Sequence, residues 1–245
     1  PAVETLGSVT YICTDKTGTL TQNRMTVELY FANGERQSSL TAAEADSVWT
    51  ELGQAMAMNN DVAEKDGKPA GEPTELALFE AAHQAGFDKA LLAQTKPRLA
   101  VIPFDSQRKQ MTTLHPSPGG VVAYIKGAPE QVLAQCNEAL ENETRVAFEA
   151  EAVLAEAAQL ASEGYRVLAF AKREFNVLPE PLDAEKIEQQ LIFLGLVALI
   201  DLPRPEVPQA VADCLTAGIT PVMITGDHPG TAMAIARRLG IANDE

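Results

Sequence analysis

Two short apolar strands, one near each end of the chain, run into glycine-bearing turns, and this pairing constrains the fold more than any other feature. Residues 9–14 form a β-branched and aromatic run that ends at Asp15 and the turn residues Lys16-Thr17-Gly18-Thr19. Residues 219–224 form an apolar run that ends at Thr225-Gly226-Asp227. A strand that stops at such a turn sets polar groups at the C-terminal edge of a sheet, where α/β proteins place their ligands. Helical patterns over 205–217 and 230–239, closed by Gly218 and Gly240, flank the second strand. Strand and helix alternating in this way predict a parallel sheet.

Between the two ends the rhythm changes. Strands are predicted over 27–31, 99–104, 111–114, 121–126, 166–172 and 191–199, and they read as antiparallel. Helices are predicted over 41–58, 74–85, 129–136 and 147–162. Thr41 with Glu44 three residues on reads as a capping box, Asn33-Gly34 as a tight turn, and 61–71 as a polar loop. The expected fold class is α/β, with a parallel-sheet domain built from both chain ends (1–27 and 200–245) and an inserted α+β domain containing an antiparallel sheet (28–199).

The 245 residues are 46% hydrophobic, enough to build a core, and carry a formal net charge of −15. A surface this acidic repels phosphate backbones, so no nucleic-acid partner is expected. The longest apolar run, LIFLGLVALI over 191–200, is too short for the roughly 18–20 residues a membrane span needs. No secretory signal is expected from the opening residues. Cys13, Cys136 and Cys214 form neither a zinc spacing nor a disulfide framework, which fits a reducing compartment.

The chemistry concentrates at the two strand ends. Asp15 is a carboxylate beside Lys16, and the turn at Gly18 can aim backbone N–H groups at phosphate oxygens. Such a carboxylate can attack phosphorus and split one phosphoryl transfer into two steps. Mg²⁺ would offset the remaining charge. A short motif of this kind also occurs as an ordinary surface turn. Thr225-Gly226-Asp227 offers a hydroxyl, a close backbone approach and the start of a helix, although Asp227 alone would look the same as a plain N-cap.

Asp15-Lys16-Thr17-Gly18-Thr19-Leu20-Thr21 resembles the DKTGTLT signature of the P-type ATPases, the phosphorylated cation pumps. Lys126-Gly127-Ala128-Pro129-Glu130 resembles their KGAPE motif, Asp201-Leu202-Pro203-Arg204 is similar to DPPR with one proline replaced, and Met223-Ile224-Thr225-Gly226-Asp227 resembles MITGD. The resemblance implies a partial haloacid-dehalogenase-like, Rossmann-type phosphorylation domain interrupted by a nucleotide-binding domain. It implies that Asp15 is the phosphorylated nucleophile, that Lys16 and Thr17 contact phosphate, and that Asp15 and a Thr17 backbone oxygen hold Mg²⁺. It gives Thr225, Gly226 and Asp227 the transferred phosphate. It gives ATP a pocket of Glu75, Phe104, Lys109, Lys126, Gly127 and Arg166, with Arg204 reaching in from the hinge. Phe104 would stack on adenine and Glu75 would accept from its amino group. On position alone, Phe104 reads as a core residue and Glu75 as a solvated first-turn acid.

The implied partners are ATP, the transmembrane and actuator domains of a longer parent chain at the cytoplasmic face of a membrane, and, in that parent, a transported cation. The chain then reads as a fragment that binds ATP without completing turnover. Ser106 stands where such pumps often carry an arginine, which leaves open weaker nucleotide affinity or substitution by Arg108. Two rival readings remain. A soluble phosphohydrolase of the same superfamily usually has an Asp where Thr17 stands, and a non-catalytic nucleotide-binding module needs only the middle block.

Overall fold

The computed structural model describes residues 9–40, 47–65, 67–141, 143–226 and 229–242. In chain order the elements are β1 (Tyr11–Asp15), β2 (Thr21–Ala32), β3 (Glu35–Gln37), α1 (Val48–Met58), β4 (Ala63–Lys65), β5 (Lys68–Ala70), α2 (Pro73–Gln84), α3 (Lys89–Thr95), β6 (Ala100–Asp105), β7 (Gln110–Ser117), β8 (Gly120–Gly127), α4 (Pro129–Ala134), β9 (Cys136–Glu141), β10 (Thr144–Ala147), α5 (Ala150–Ser162), β11 (Arg166–Phe175), α6 (Ala184–Ile187), β12 (Leu191–Pro203), α7 (Val207–Thr216), β13 (Thr220–Ile224) and α8 (Pro229–Arg238). Among the described residues no helix is long and apolar enough to cross a membrane.

The ten-residue apolar run becomes the spine of the molecule inside β12. One edge of β12 pairs along its length with β11; the other pairs first with β9, in parallel, and then with β2. The sheet continues β11-β8-β7-β6 on one side and β9-β10 on the other, while β3 extends β2, so nine of the described strands join it. Apart from β9–β12 the pairings are antiparallel, as the sequence predicts.

Both faces of this sheet are covered, which is why its strands read as apolar runs. On β8, Val121, Ala123 and Ile125 join the core that contains Leu133 of α4 and Leu160 of α5. Val122 and Tyr124 join the core that contains Leu52 and Met56 of α1 and Leu78 of α2. On β12, Phe193 faces the first core and so do Leu196, Ala198 and Ile200. The alternation slips by one residue because the pairing with β11 skips Leu194, a bulge at Gly195. A Cβ on Gly195 would stand 2.7 Å from the Phe31 carbonyl oxygen, so the close approach of β2 to β12 at this point needs glycine.

β1 pairs with β13 in parallel, from Tyr11 opposite Thr220 to Asp15 opposite Ile224. Among the described residues this is a sheet of two strands. Asn33 and Gly34, both at positive φ, make the turn between β2 and β3. Some expectations need correction. The helix predicted over 41–58 starts at Val48: Ser47, with extended backbone, accepts a hydrogen bond from the Thr50 N–H and is the N-cap. The proposed box of Thr41 and Glu44 lies outside the described residues. The segment taken as a polar loop contains the β4–β5 hairpin. Also unpredicted are α3, whose cap is Asp88, and the β9–β10 hairpin.

Candidate nucleotide site and phosphoryl-acceptor loop

A cavity of about 710 Å³ opens where β6, β7, β8 and β11 meet the first turn of α2. Met111, Val167 and Leu168 give it an apolar floor, and Glu75, Phe104, Lys109, Lys126, Gly127 and Arg166 all line it. Six of the residues implied for an ATP pocket therefore come together from four separate elements and one turn. Phe104 is 63% exposed at the end of β6, so its position marks the cavity wall and not the core that its strand suggests.

Lys126 is the buried charge of the site. Its Nζ donates to Glu75 Oε1 at 2.6 Å and to the Asn59 carbonyl at 2.5 Å. Burial lowers its pKa, and the facing Glu75 carboxylate offsets part of that shift. The other Glu75 oxygen accepts from the Asp61 N–H at 3.0 Å. Thr74 accepts from Arg166 at 2.9 Å, and Lys109 pairs with Glu130 at 3.2 Å on the exposed rim. Gly127 is obligatory: a Cβ there would lie 2.5 Å from the Lys109 carbonyl oxygen and 2.6 Å from Gln110 Cβ. That close approach lets Lys109, itself at φ 52°, turn the chain into β7.

Arg108 is fully committed elsewhere. Its Nη1 donates to both carboxylate oxygens of buried Glu188, at 2.6 and 2.8 Å, and its Nη2 donates to the Pro103 carbonyl. It is not among the residues that line the cavity.

The second constellation lies at the C-terminal ends of β1 and β13. Asp15 is exposed, Lys16 is buried, and Thr17 is extended before Gly18 turns at φ 77°. Thr225 and Gly226 follow β13 directly, beside the strand end that carries Asp15. Asp227 lies outside the described residues. The loop is tied down by a device that the motif alone did not reveal. Asp201 of β12 accepts from Thr21 Oγ1 at 2.5 Å and from the Arg24 N–H at 3.1 Å. Arg204 donates from Nη2 to the Gly18 carbonyl at 2.8 Å and from its N–H to the Leu20 carbonyl at 2.9 Å. Arg204 thus sits on the Asp15 loop and does not line the large cavity.

Arg166 joins the two regions. It lines the large cavity and also a cleft of about 250 Å³ whose walls include Lys16, Asp201 and Thr231. For Mg²⁺, the residues present offer the Asp15 carboxylate and the Thr17 carbonyl. Two oxygen donors suit an ion that keeps several waters and completes its shell with substrate phosphates. Among the described residues no cluster of three or more His, Cys, Asp or Glu side chains could hold a metal.

The family model for the P-type ATPase cytoplasmic domain N matches residues 48–206, the block that builds the large cavity. The chain belongs to the P-type ATPase family. It is 41% identical to calcium-transporting ATPase 1 of Bacillus cereus, over all of this chain and 28% of that protein. It is 41% identical to the cation-transporting ATPase pma1 of Synechocystis, over 99% of this chain and 30% of that protein. It is 36% identical to the sodium/potassium-transporting ATPase subunit alpha-2 of Bos taurus, over 99% and 27% respectively. The chain thus spans less than a third of the length of these curated relatives. Asn59 and Asp61 were missed from the sequence; the one signal for them was a polar Asn-Asn-Asp step directly after an apolar helix.

Proposed function

We propose that this chain is the ATP-binding and phosphoryl-accepting region of an ATP-driven cation pump, facing the cytoplasm and working with transmembrane and actuator domains of the same parent. The observation that supports it best is the single cavity lined by all six residues of the inserted block that the family pattern implies. In this reading the adenine stacks on the exposed Phe104 ring, and its amino group donates to Glu75. Lys126, Lys109 and Arg166 offset phosphate charge.

Residues 1–27 and 200–245 then belong to a haloacid-dehalogenase-like phosphorylation domain, and residues 28–199 to the nucleotide-binding domain. The two would turn on the paired strands β2 and β12 and carry the γ-phosphate toward Asp15. An Asp15 carboxylate oxygen forms a bond to the γ-phosphorus while the bond to the bridging oxygen of ADP breaks, and ADP leaves with that electron pair. Lys16, Thr17, Thr225, Gly226 and Asp227 hold the transferred group. Arg204 fixes the loop from below through Gly18. Asp15 and the Thr17 carbonyl would hold Mg²⁺, which would supply charge neutralisation. Thr17, in place of an acid/base Asp, favours a lasting phosphoenzyme over fast hydrolysis.

Calorimetric titration with ATP tests the reading. Phe104→Ala and Lys126→Ala are each expected to weaken binding at least about tenfold. Equal affinity in all three proteins would overturn it. Acid-quenched labelling from γ-labelled ATP separates the parts: label on Asp15 marks a phosphoryl acceptor, and binding with no label marks a nucleotide-binding module.

A further inference from the structure

Residues 59–62 form a short strap between α1 and β4 that reaches the cavity wall at Asp61, and its polar groups point alternately to opposite sides. Toward the cavity, the Asn59 carbonyl accepts from Lys126 and the Asp61 N–H donates to Glu75. On the other side, Lys89 Nζ donates to the Asn60 carbonyl (3.0 Å), to Asn60 Oδ1 (2.7 Å) and to the Val62 carbonyl (2.8 Å). Arg98 donates to the same Asn60 carbonyl at 2.5 Å and pairs with the Asp61 carboxylate at 2.6 Å. Two cations therefore grip the back of the strap whose front sets the Glu75–Lys126 pair. The strap's own links are weaker. Asn60 Nδ2 closes the last turn of α1 through Met56 and Ala57, and Asn60 Oδ1 accepts from the Val62 N–H.

We infer that Lys89 and Arg98 are positioning residues for nucleotide binding, holding the strap in the one rotation that presents Asn59 and Asp61 to Lys126 and Glu75. The inference rests on the large cavity being the ATP site. Neither cation lines that cavity, so neither is placed to touch a nucleotide bound in it, and the hydrogen-bonded link from them to the site is the strap. Hydrogen bonds from a charged donor to backbone carbonyls are the strong kind, and a buried carbonyl left without one carries a desolvation cost. Burial also lowers the pKa of Lys89 to about 8, and Arg98 pushes the same way. The charged groups that face it are Asp61 on the strap, Arg98 before β6, Glu75 of α2 and Lys126 of β8. His115 of β7 lines the same small recess. The grip thus weakens in mildly alkaline solution, where an arginine would keep its charge.

Calorimetric titration with ATP between pH 6.5 and 9.5 tests this on the wild type, Lys89→Met, Lys89→Arg and Phe104→Ala, each checked for folding by thermal melting. At pH 7, Lys89→Met is expected to bind ATP about tenfold more weakly, with Lys89→Arg within about twofold of the wild type. Between pH 7 and 9.5 the wild type is expected to lose several-fold more affinity than Lys89→Arg. Lys126 is present in both proteins, so a difference between their profiles traces to residue 89. A merely structural lysine leaves the two profiles parallel in protein that stays folded. Parallel profiles, or Lys89→Met binding as tightly as the wild type, overturn the inference. If Phe104→Ala loses affinity while Lys89→Met does not, the positioning role fails alone. If the wild type binds no ATP, the nucleotide reading fails and this inference with it.

Discussion

One missing β-carbon keeps the cavity in shape. Gly127 touches the Lys109 backbone so closely that alanine must push β7 and β8 apart at the point where Lys109 and Lys126 enter the site. Gly127→Ala is therefore expected to cost about 1–3 kcal/mol of stability and to weaken ATP binding at the same time. Urea unfolding and ATP titration on one variant check both; unchanged binding would separate the glycine from the site. His115 carries a different prediction. It is buried, its Nδ1 lies 3.1 Å from the Lys96 carbonyl, and its Nε2 has no partner among the described residues. Burial lowers its pKa to about 4 from 6.5, and the neighbouring Arg98 adds to the shift. The folded imidazole stays neutral while the unfolded one takes a proton. Its contribution is thus fully present above about pH 6.5 and is lost as the pH falls toward 4. Comparison with His115→Gln isolates it: the stability gap between wild type and variant should shrink by roughly 2–3 kcal/mol from pH 7 to 4.5. A gap that holds constant would place the titration elsewhere.

At the scale of elements, α1 shows why part of the fold was legible and part was not. Its apolar pattern gave the body of the helix, because burial of Leu52, Ala55 and Met56 against the sheet is written into the spacing. Its start was not legible, since Thr41 with Glu44 satisfies the same capping chemistry as Ser47. Local rules cannot choose between two equally good caps. Ser47→Ala should cost about 1 kcal/mol in urea unfolding, and no loss would mean that Ser47 does not close the helix. The β9–β10 hairpin was missed for another reason. Cys136–Glu141 and Thr144–Ala147 alternate weakly, and β9 exists because Leu191–Phe193 offer it a partner from far along the chain. The candidate site was legible residue by residue where a motif fixed it, as at Lys126 and Gly127. Phe104 was legible only by resemblance, because an exposed aromatic residue at the end of a strand has the sequence signature of a core residue. Arg108 and Arg204 lie beside the right motifs, but their directions depend on Glu188 and on the Gly18 carbonyl, which no spacing announces.

At the scale of the whole molecule, the bonds of Asp201 and Arg204 to the Asp15 loop are joined by two further links between the chain-end elements and the large sheet. The first is the ladder of β2 and β12, which runs from Thr21 opposite Pro203 to Phe31 opposite Leu196 with two shifts of register. The second is a cluster of side chains. Tyr165 donates to Glu28 at 2.9 Å and accepts from Arg238 of α8 at 2.9 Å, and the Arg238 guanidinium lies 5.2 Å from the Tyr165 ring centre. Beside it Gly164 packs so closely on α8 that a Cβ would stand 2.8 Å from Ala234 Cβ. The ladder is made of backbone hydrogen bonds and does not depend on Arg238. The cluster is partly exposed and rests on Arg238, so it is the weaker bond. Removing Arg238 should loosen α8, and with it the β1–β13 pair, while leaving the nine-stranded sheet intact. Arg238→Ala is expected to speed amide hydrogen exchange in β13 and α8 roughly fivefold, the equivalent of about 1 kcal/mol, with β8 and β11 unchanged. Faster exchange in all of these strands together would mean that the two regions open as one unit, and the side-chain cluster would then have no separate role in setting how the Asp15 loop meets the nucleotide cavity.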